Sequence, residues 1–351
     1  MDTVDQLRAF AVCHSLKEYA SLKSAMRQIG FVQADPIRAP ARAQDLILRH
    51  RVAGYKAGDL DRRYHSLDIE EDFLHNYGFV ARDVWRLLHP RSMKPLTALD
   101  WRVLEFVRGA GRIHPDELGA TFGRARVVNA WGGYSQATKD SLERLHDRGL
   151  LRVARRDKGI RVYEAISLTV ESHSPEVRLE SLMMLVAKQL TPVPEKTLLS
   201  VGARLKRWIG KAPEHRKVLR RLIAAGQLER HVVDEIVYLW PTGAGRRTGE
   251  AERRVRILAP FDPVVWDRAR FEHLWGWNYR FEAYTPVARR VRGYYAMPLL
   301  WVDRVIGWAN ASVVEGKLRA ETGFMGAKPR GSEFSRELEA EIGRLGEFLG
   351  L

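Results

Sequence analysis

The sequence predicts an α+β protein in which tandem winged helices (helix-turn-helix units with a β-hairpin wing) precede a β-rich C-terminal region. Apolar residues recur at helical spacing through most of the chain before residue 240. The string LERLHDRGLL at 142–151 returns as LRRLIAAGQL at 219–228, with Leu, Arg, Leu, Gly and Leu in register. Each copy is followed by two apolar stretches around a turn that contains Asp157 or Asp234, the pattern of a β-hairpin.

Composition restricts the class of protein. The chain has 351 residues, of which 45% are apolar, enough for several packed cores. No apolar run approaches the roughly 18 residues that span a bilayer, and the N-terminus lacks a secretory signal pattern. A single cysteine, Cys13, excludes intrachain disulfides and cysteine-rich zinc sites. We therefore expect a cytoplasmic protein without metal or cofactor, and a monomer because no coiled-coil heptad run is present.

The charge indicates the partner. Lys and Arg number 58 against 43 Asp and Glu, which gives a net charge of +15. The sequence pI is about 10.0. A folded chain this basic most often binds nucleic acid, so double-stranded DNA is the expected partner. The alternative is a basic protein from an arginine-rich proteome.

The first predicted unit, residues 1–95, begins with two amphipathic helices within 1–30, closed by Gly30. Pro36 or Pro40 is then expected to open a long helix that runs to Arg51. Its apolar side carries Leu46 and Ile47. Four arginines would form its basic face: Arg38, Arg42, Arg49 and Arg51. Residues 73–79 are interpreted as a short aromatic strand, and 83–89 as a helix.

The next two predicted units are a winged helix at 96–170 and another at 171–242. In the first we expect helices at 101–107, from His114, and at 135–148, followed by a hairpin. In the second we expect a helix at 176–190, another from Pro194, and a wing that ends at Trp240.

Residues 242–254 are rich in Gly and Arg and are predicted to be a linker. The last unit, 255–351, is predicted to be β-rich. We expect strands at 255–258 and 281–284 and a hairpin that pairs 291–297 with 302–308. An amphipathic helix is expected at 332–349.

The stretch FVQADP at 31–36 carries the pattern most suggestive of chemistry. Side chains alternate along an extended segment, so Gln33 and Asp35 should project from the same face. Pro36 favours an extended conformation at Asp35. An amide and a carboxylate on one face can hold a water molecule or a cationic group between them. The alternative is that Gln33 lies on the surface and Asp35 caps a helix begun by Pro36.

Several enzyme classes lack their motifs. No Gly-rich phosphate loop precedes a helix, and neither His-Glu-x-x-His nor Cys-x-x-Cys occurs. No Gly-x-Ser-x-Gly elbow occurs either. An ATPase, a zinc enzyme and a serine hydrolase are therefore disfavoured.

Three strings resemble the AlkZ/YcaQ-like bacterial DNA glycosylases. Gln33-Ala34-Asp35 is similar to the Gln-x-Asp catalytic motif of that family, although Pro36 stands where the family often has Thr. LAPFDPVVWDR at 258–268 and YRFEAYTP at 279–286 are similar to its C-terminal signature, and His75 falls where the family has a histidine. The resemblance implies tandem winged helices around a basic cleft and excision of bulky or cationic N-alkylated bases. For the Gln-x-Asp branch it also implies unhooking of interstrand crosslinks.

The resemblance assigns roles that suit the residue types. Breaking an N-glycosidic bond develops positive charge on the sugar, so Asp35 is expected to stabilise that charge or activate water, and Gln33 to position the water. His75 is expected to support the site, or else to be an ordinary core histidine. With no lysine beside the motif, a monofunctional enzyme without a Schiff base is expected.

Candidates for phosphate contact are basic residues, each with a solvated surface role as the alternative: Arg38, Arg42, Arg49, Lys139, Arg144, Arg216, Lys217, Arg220 and Arg289. Two other functions stay open on the residues alone. One is a non-catalytic winged-helix transcriptional regulator that binds DNA. The other is a winged-helix interaction module that does not.

Overall fold

The computed structural model describes residues 1–123, 125–128, 134–166, 173–247 and 250–351. Thr3 and Ser21 cap the first two helices through their hydroxyls, and Gly30 ends the second in a left-handed conformation (φ 77°). The elements of this first part are α1 (Val4–Ser15), α2 (Leu22–Ile29), β1 (Phe31–Gln33), α3 (Ala43–Leu48), α4 (Asp59–Arg63), β2 (Ile69–Phe73), β3 (Tyr77–Ala81) and α5 (Arg82–Leu88).

Strand β1 pairs antiparallel with β3, and β3 pairs with β2, giving the order β1-β3-β2. Gln33 lies opposite Gly78 in this ladder. A Cβ on Gly78 would come within 2.3 Å of the Val32 carbonyl oxygen, so only glycine permits this close approach of β3 to the motif strand.

Two predictions for this part were wrong. The long helix from Pro36 or Pro40 is absent, and only the six residues of α3 are helical. Two prolines four residues apart lack N–H donors and crowd the preceding turn, which keeps 34–42 irregular. The expected aromatic strand is instead a hairpin, with His75 in the turn between β2 and β3. Strand β2 was not predicted because it buries three acidic side chains, those of Glu70, Glu71 and Asp72, where a strand pattern would have apolar residues.

The middle of the chain follows the predicted order of helices and hairpins. Its elements are α6 (Ala98–Ala110), β4 (Arg112–Ile113), α7 (Leu118–Phe122), β5 (Arg126–Val128), β6 (Tyr134–Gln136), α8 (Ala137–Asp147), β7 (Leu151–Asp157), β8 (Ile160–Ala165), α9 (Pro175–Gln189), β9 (Val193–Pro194), α10 (Glu195–Ile209), α11 (His215–Ala224), β10 (Leu228–Val233) and β11 (Ile236–Pro241). The predicted helices at 101–107, 135–148 and 176–190 and both hairpins are confirmed. The helix expected from His114 begins only at Leu118.

The two repeats build similar sheets. In each, a short strand after the first helix adds to the hairpin, giving the orders β4-β8-β7 and β10-β11-β9. The string that recurs in sequence therefore ends one helix and begins one hairpin in both copies.

The C-terminal part consists of β12 (Val255–Ile257), α12 (Pro263–Trp266), α13 (Arg268–Trp275), β13 (Met297–Trp301), β14 (Arg304–Val314), β15 (Lys317–Phe324) and α14 (Ser332–Leu349). Its sheet has the order β12-β13-β14-β15, and the C-terminal helix was correctly predicted.

Two strand predictions in this part were wrong. Residues 281–284 are not a strand, and the predicted hairpin is displaced so that β13 begins only at Met297. The Glu282 carboxylate accepts the backbone N–H groups of Val291 and Arg292, at 2.8 to 3.1 Å. These hydrogen bonds fold residues 282–292 into a loop instead of the predicted paired strand.

The largest apolar cluster joins the two ends of the chain. It combines side chains from 22–79 with side chains from 255–348, including Val32, Phe79, Met297 and Phe348. Strand β1 therefore lies where the N-terminal elements, the C-terminal sheet and helix α9 meet. Among the described residues, every helix is too short or too polar to cross a bilayer.

Candidate active site

Strand β1 and the turn after it place Gln33 and Asp35. Gln33 is 9% exposed, and Asp35 is half-buried. The Asp35 Oδ1 atom accepts the backbone N–H of Ile37 at 2.9 Å. This is the local bond that would cap a helix, but irregular backbone follows, so the carboxylate ends a strand rather than starting a helix.

The Gln33 side chain is anchored by the β2–β3 turn. Its amide lies 2.9 Å from that of Asn76. The Trp266 indole N–H, which can only donate, faces the Asn76 oxygen at 2.9 Å, and the Asn76 NH₂ donates to the His75 carbonyl oxygen at 3.0 Å. With the Asn76 oxygen facing Gln33, the Gln33 atom 2.9 Å away must be its NH₂ group, so the Gln33 amide is reversed as well and donates to Asn76. Its own carbonyl oxygen is then available to accept a bond from a water molecule.

His75 is a buried, neutral residue of this site. Its ring packs edge-on against Phe31 and Trp266, with centroids 4.7 and 4.5 Å away. Burial, with a smaller contribution from the Arg204 charge, lowers the pKa of His75 to about 3. The imidazole is therefore uncharged near neutral pH and cannot serve as a general acid there. Its position supports Asn76 through the backbone.

The Asp35 carboxylate is not paired with a cation among the described residues. Burial raises its pKa above the ordinary value, and the Ile37 N–H partly opposes that effect. Three of the four arginines expected around the motif are engaged elsewhere, and Arg38 is exposed without an ion pair in the described residues. Arg42 pairs with Asp61 at 2.6 Å, Arg49 pairs with Glu341, and Arg51 forms a bidentate pair with Asp262.

Two tyrosines, Tyr284 and Tyr295, lie in the C-terminal loop between α13 and β13. Tyr284 is 79% exposed, whereas Tyr295 is buried. Burial, and next the Asp35 charge, raises the pKa of each phenol. Phe281 packs edge-on between them, 6.1 Å from Tyr284 and 5.2 Å from Tyr295. The sequence analysis did not predict this group of aromatic rings, because it assigned 281–284 and 291–297 to strands.

The predicted phosphate-contact residues fall into two groups. Five are exposed and form no ion pair within the described ranges: Arg38, Arg216, Lys217, Arg220 and Arg289. The other four are paired. Lys139 contacts Asp116 at 3.2 Å, Arg144 binds Asp100 and Asp140, and Arg42 binds Asp61. The structure argues most strongly against Arg49, whose side chain is buried against Glu341.

Within the described residues, His, Cys, Asp and Glu side chains do not gather in groups of three or more that could hold a metal ion. The groups described at this site are a carboxylate without a cationic partner in the described residues, an anchored amide and several aromatic rings.

A family model described as DNA glycosylase AlkZ-like matches residues 26–348. Among solved structures, the Streptomyces sahachiroi DNA glycosylase AlkZ superposes with a TM-score of 0.68 at 14% sequence identity, over 100% of this chain and 98% of that one. The class defined by these matches is that of the DNA repair glycosylases. Within that class, the chain belongs to the AlkZ-like DNA glycosylase family.

Proposed function

We propose that this glycosylase hydrolyses the N-glycosidic bond of bulky or cationic N7-alkylated purines in double-stranded DNA, with interstrand crosslinks as further substrates. The observation that carries the proposal is the pairing of a half-buried carboxylate, without a cationic partner in the described residues, with an anchored amide two residues before it. In the proposal, Asp35 stabilises the developing oxocarbenium ion or accepts a proton from water. Gln33 positions that water.

The electrostatics support these roles. A carboxylate already neutralised by an arginine would contribute little to a cationic transition state. Of the four arginines that follow the motif, Arg42, Arg49 and Arg51 are bound to other acids, and Arg38 is exposed and forms no ion pair with Asp35. An N7-alkylated purine is a good leaving group because it already carries positive charge. No strong general acid is then required, which agrees with a neutral His75.

The lysine distribution supports a monofunctional enzyme. The segment 31–51 contains four arginines, one histidine and no lysine. A Schiff-base mechanism requires an amine at the sugar C1′ atom. We therefore propose direct hydrolysis that leaves an abasic site.

DNA binding is proposed to use the exposed basic residues together with the exposed ring of Tyr284. Arg216, Lys217 and Arg220 lie on one exposed side of α11, and Arg289 lies on the loop that carries Tyr284. Exposed rings beside Asp35 could stack on a base drawn out of the duplex. The order of helices and hairpins in 98–241 supports the interpretation of this part as tandem winged helices. The division of the chain into four domains also remains a proposal.

The first test is excision from a duplex that carries one N7-methylguanine, read out by alkaline cleavage of the abasic site. We expect the wild type to cut and Asp35→Asn to lose activity while binding the duplex with nearly unchanged affinity. Asp83→Asn, which removes an exposed carboxylate on α5, is the matched control and should cut normally.

Parallel loss of binding and excision in Asp35→Asn would contradict the catalytic role. If the wild type does not cut this duplex, a crosslinked duplex is the second substrate. Failure on both, combined with tight binding to one particular sequence, would identify a winged-helix regulator instead.

A further inference from the structure

The three most exposed large apolar side chains of the described residues lie on one loop. They are Tyr284, Val287 and Val291, which are 79%, 75% and 75% exposed. Tyr294 on the same loop is 44% exposed. Single exposed apolar residues are ordinary on a protein surface, but several on one short loop indicate a binding surface. We refer to residues 284–294 as the apolar loop.

Hydrogen bonds hold the apolar loop in one conformation. The Glu282 carboxylate accepts the N–H groups of Val291 and Arg292, at 2.8 to 3.1 Å. Asn310 on β14 donates to the Arg292 carbonyl oxygen at 2.7 Å. Gly293 permits this contact, because a Cβ there would come within 2.6 Å of the Asn310 side chain. The loop therefore presents its apolar side chains to a partner with little ordering left to be done on binding.

The charge of this segment indicates a polyanionic partner. Residues 280–294 contain four arginines and one carboxylate, that of Glu282, which the backbone N–H groups already occupy. The four arginines form no ion pair in the described part of the chain: Arg280, Arg289, Arg290 and Arg292. Cations beside exposed apolar side chains suit duplex DNA, because phosphates border the groove through which an apolar side chain reaches the bases.

The small size of the apolar group also favours DNA over a protein partner. A stable protein–protein interface buries about 800 Å² on each side, which is more than four side chains can supply. One or two apolar side chains are enough to enter a base step, unstack it and kink the duplex.

Aromatic contacts connect the apolar loop to the Gln33–Asp35 motif. Gln33 and Phe261 line the same small cavity. The ring centroids of Phe261 and Phe281 are 5.0 Å apart, and those of Phe281 and Tyr284 are 6.1 Å apart. The apolar loop therefore begins two ring contacts away from the cavity that Gln33 lines.

We propose that Val287 and Val291 enter the base stack of duplex DNA beside the damaged nucleotide, while Arg289 contacts a flanking phosphate. The inference rests on the proposed function for its partner, duplex DNA. Entry of the two valines separates neighbouring bases. A nucleotide loosened from the stack in this way can offer its N-glycosidic bond to a side chain, which a stacked nucleotide cannot.

The test uses Asp35→Asn as the parent protein and a duplex in which the fluorescent base 2-aminopurine neighbours one N7-methylguanine. Because 2-aminopurine is dim when stacked and bright when unstacked, saturating parent protein should raise the fluorescence several-fold. Addition of Val287→Ser and Val291→Ser should abolish the increase, whereas Val287→Ile and Val291→Ile should preserve it. Val232→Ser, the same change at another exposed valine, is the control and should also preserve it. Since these valines are exposed, the melting temperatures should stay close to that of the parent.

An equal increase with and without the two serines would overturn the inference, and so would a parent protein that binds the duplex without any increase. Sedimentation equilibrium tests the other occupant. A wild-type dimer that the two serines dissociate would assign the apolar loop to a second copy of the chain and also overturn the inference. Fluorescence that rises although the wild type excises nothing would count against the proposed catalysis alone. Excision without unstacking would count against the inserted valines alone.

Discussion

Arg51 and Asp262 form a bidentate ion pair with N–O distances of 2.7 and 2.9 Å, and their side chains are 1% and 0% exposed. The pair joins the turn after α3 to the loop that begins α12. Asp262 caps helix α12, which ends at Trp266, and the indole N–H of Trp266 orients Asn76 and so Gln33. A buried ion pair thus holds together the segments that position the Gln33 amide.

Breaking this pair should be costly. Asp262→Ala leaves a buried guanidinium without its carboxylate, and we expect the free energy of unfolding to fall by about 3–5 kcal/mol. The double variant Arg51→Met, Asp262→Leu should lose less than the two single variants combined, because neither charge remains. Urea denaturation measures each value. The exposed pair Arg304–Asp5 provides the control, and Arg304→Ala should cost less than about 1 kcal/mol. Additive single effects at the buried pair would contradict the argument.

Asn76 should matter for rate rather than for binding. Asn76→Ala removes the partner that fixes the Gln33 amide, so we expect kcat for excision to fall about 10- to 100-fold with DNA affinity unchanged. Trp266→Phe, which removes only the indole N–H, should give a smaller loss of the same kind. Asn278→Ala, a change at an exposed asparagine, is the control. Single-turnover excision kinetics and a binding isotherm separate the two effects, and wild-type kcat in Asn76→Ala would rule out the anchoring role.

Asp35 should set the acidic limit of activity and also reduce stability. Burial raises its folded-state pKa, so excision should decline as pH falls through a value above the ordinary 3.8. A raised carboxyl pKa means that the folded state binds this proton more tightly than the unfolded state does. The ionised carboxylate therefore disfavours folding at neutral pH. Asp35→Asn should lose excision and yet melt at a slightly higher temperature at pH 7, with the difference disappearing in acid. A lower melting temperature would contradict this reasoning.

The exposed cations of α11 should control the salt dependence of binding. Each lost phosphate contact lowers the slope of log K against log salt by about 0.9, so the triple variant Arg216→Ala, Lys217→Ala, Arg220→Ala should lower it by about 2 to 3. Arg49→Gln is the contrasting variant, because Arg49 is buried against Glu341. It should leave the slope unchanged and reduce the free energy of unfolding. Titrations at several salt concentrations test both, and an unchanged slope in the triple variant would exclude α11 from the interface.

Acid should destabilise the protein through buried histidines. Burial lowers the pKa of His75 to about 3 and that of His146 to about 4, against 6.5 for an exposed histidine. As pH falls below about 6.5, the unfolded chain takes up protons that the folded chain does not, so stability is lost between about pH 6.5 and 4. His146→Gln should flatten this dependence. Urea denaturation at several pH values across that window measures it, and a flat wild-type profile would contradict the shifted pKa values.

Local patterns predicted most helices and both repeated hairpins, because periodicity and turn chemistry act between near neighbours. Strand β2 failed this approach. Glu70, Glu71 and Asp72 are acids that no strand pattern would bury, and they are buried because arginines from distant segments neutralise them: Arg152, Arg156 and Arg91. Sequence spacing alone could not place those partners.

The candidate site could likewise be predicted only where its residues are close in the sequence. Alternation along an extended segment predicted that Gln33 and Asp35 share one face, an inference that needs only the two-residue spacing between them. Asn76 and Trp266 were not foreseen as the residues that anchor Gln33, since tertiary folding brings them to it. The basic face expected on one long helix also failed, because the prolines prevent that helix and buried acids capture Arg49 and Arg51.

The shared apolar cluster has a consequence for biosynthesis. Arg49 and Glu341 are 292 residues apart in the sequence yet bind each other, and the Phe348 carbonyl accepts the Ala57 N–H. The motif strand therefore cannot reach its final setting until α14 has been synthesised. A prematurely terminated chain would expose Val32 and its neighbours as an uncovered surface, so it should be inactive and readily degraded. Such a truncated chain would not persist as a smaller working enzyme.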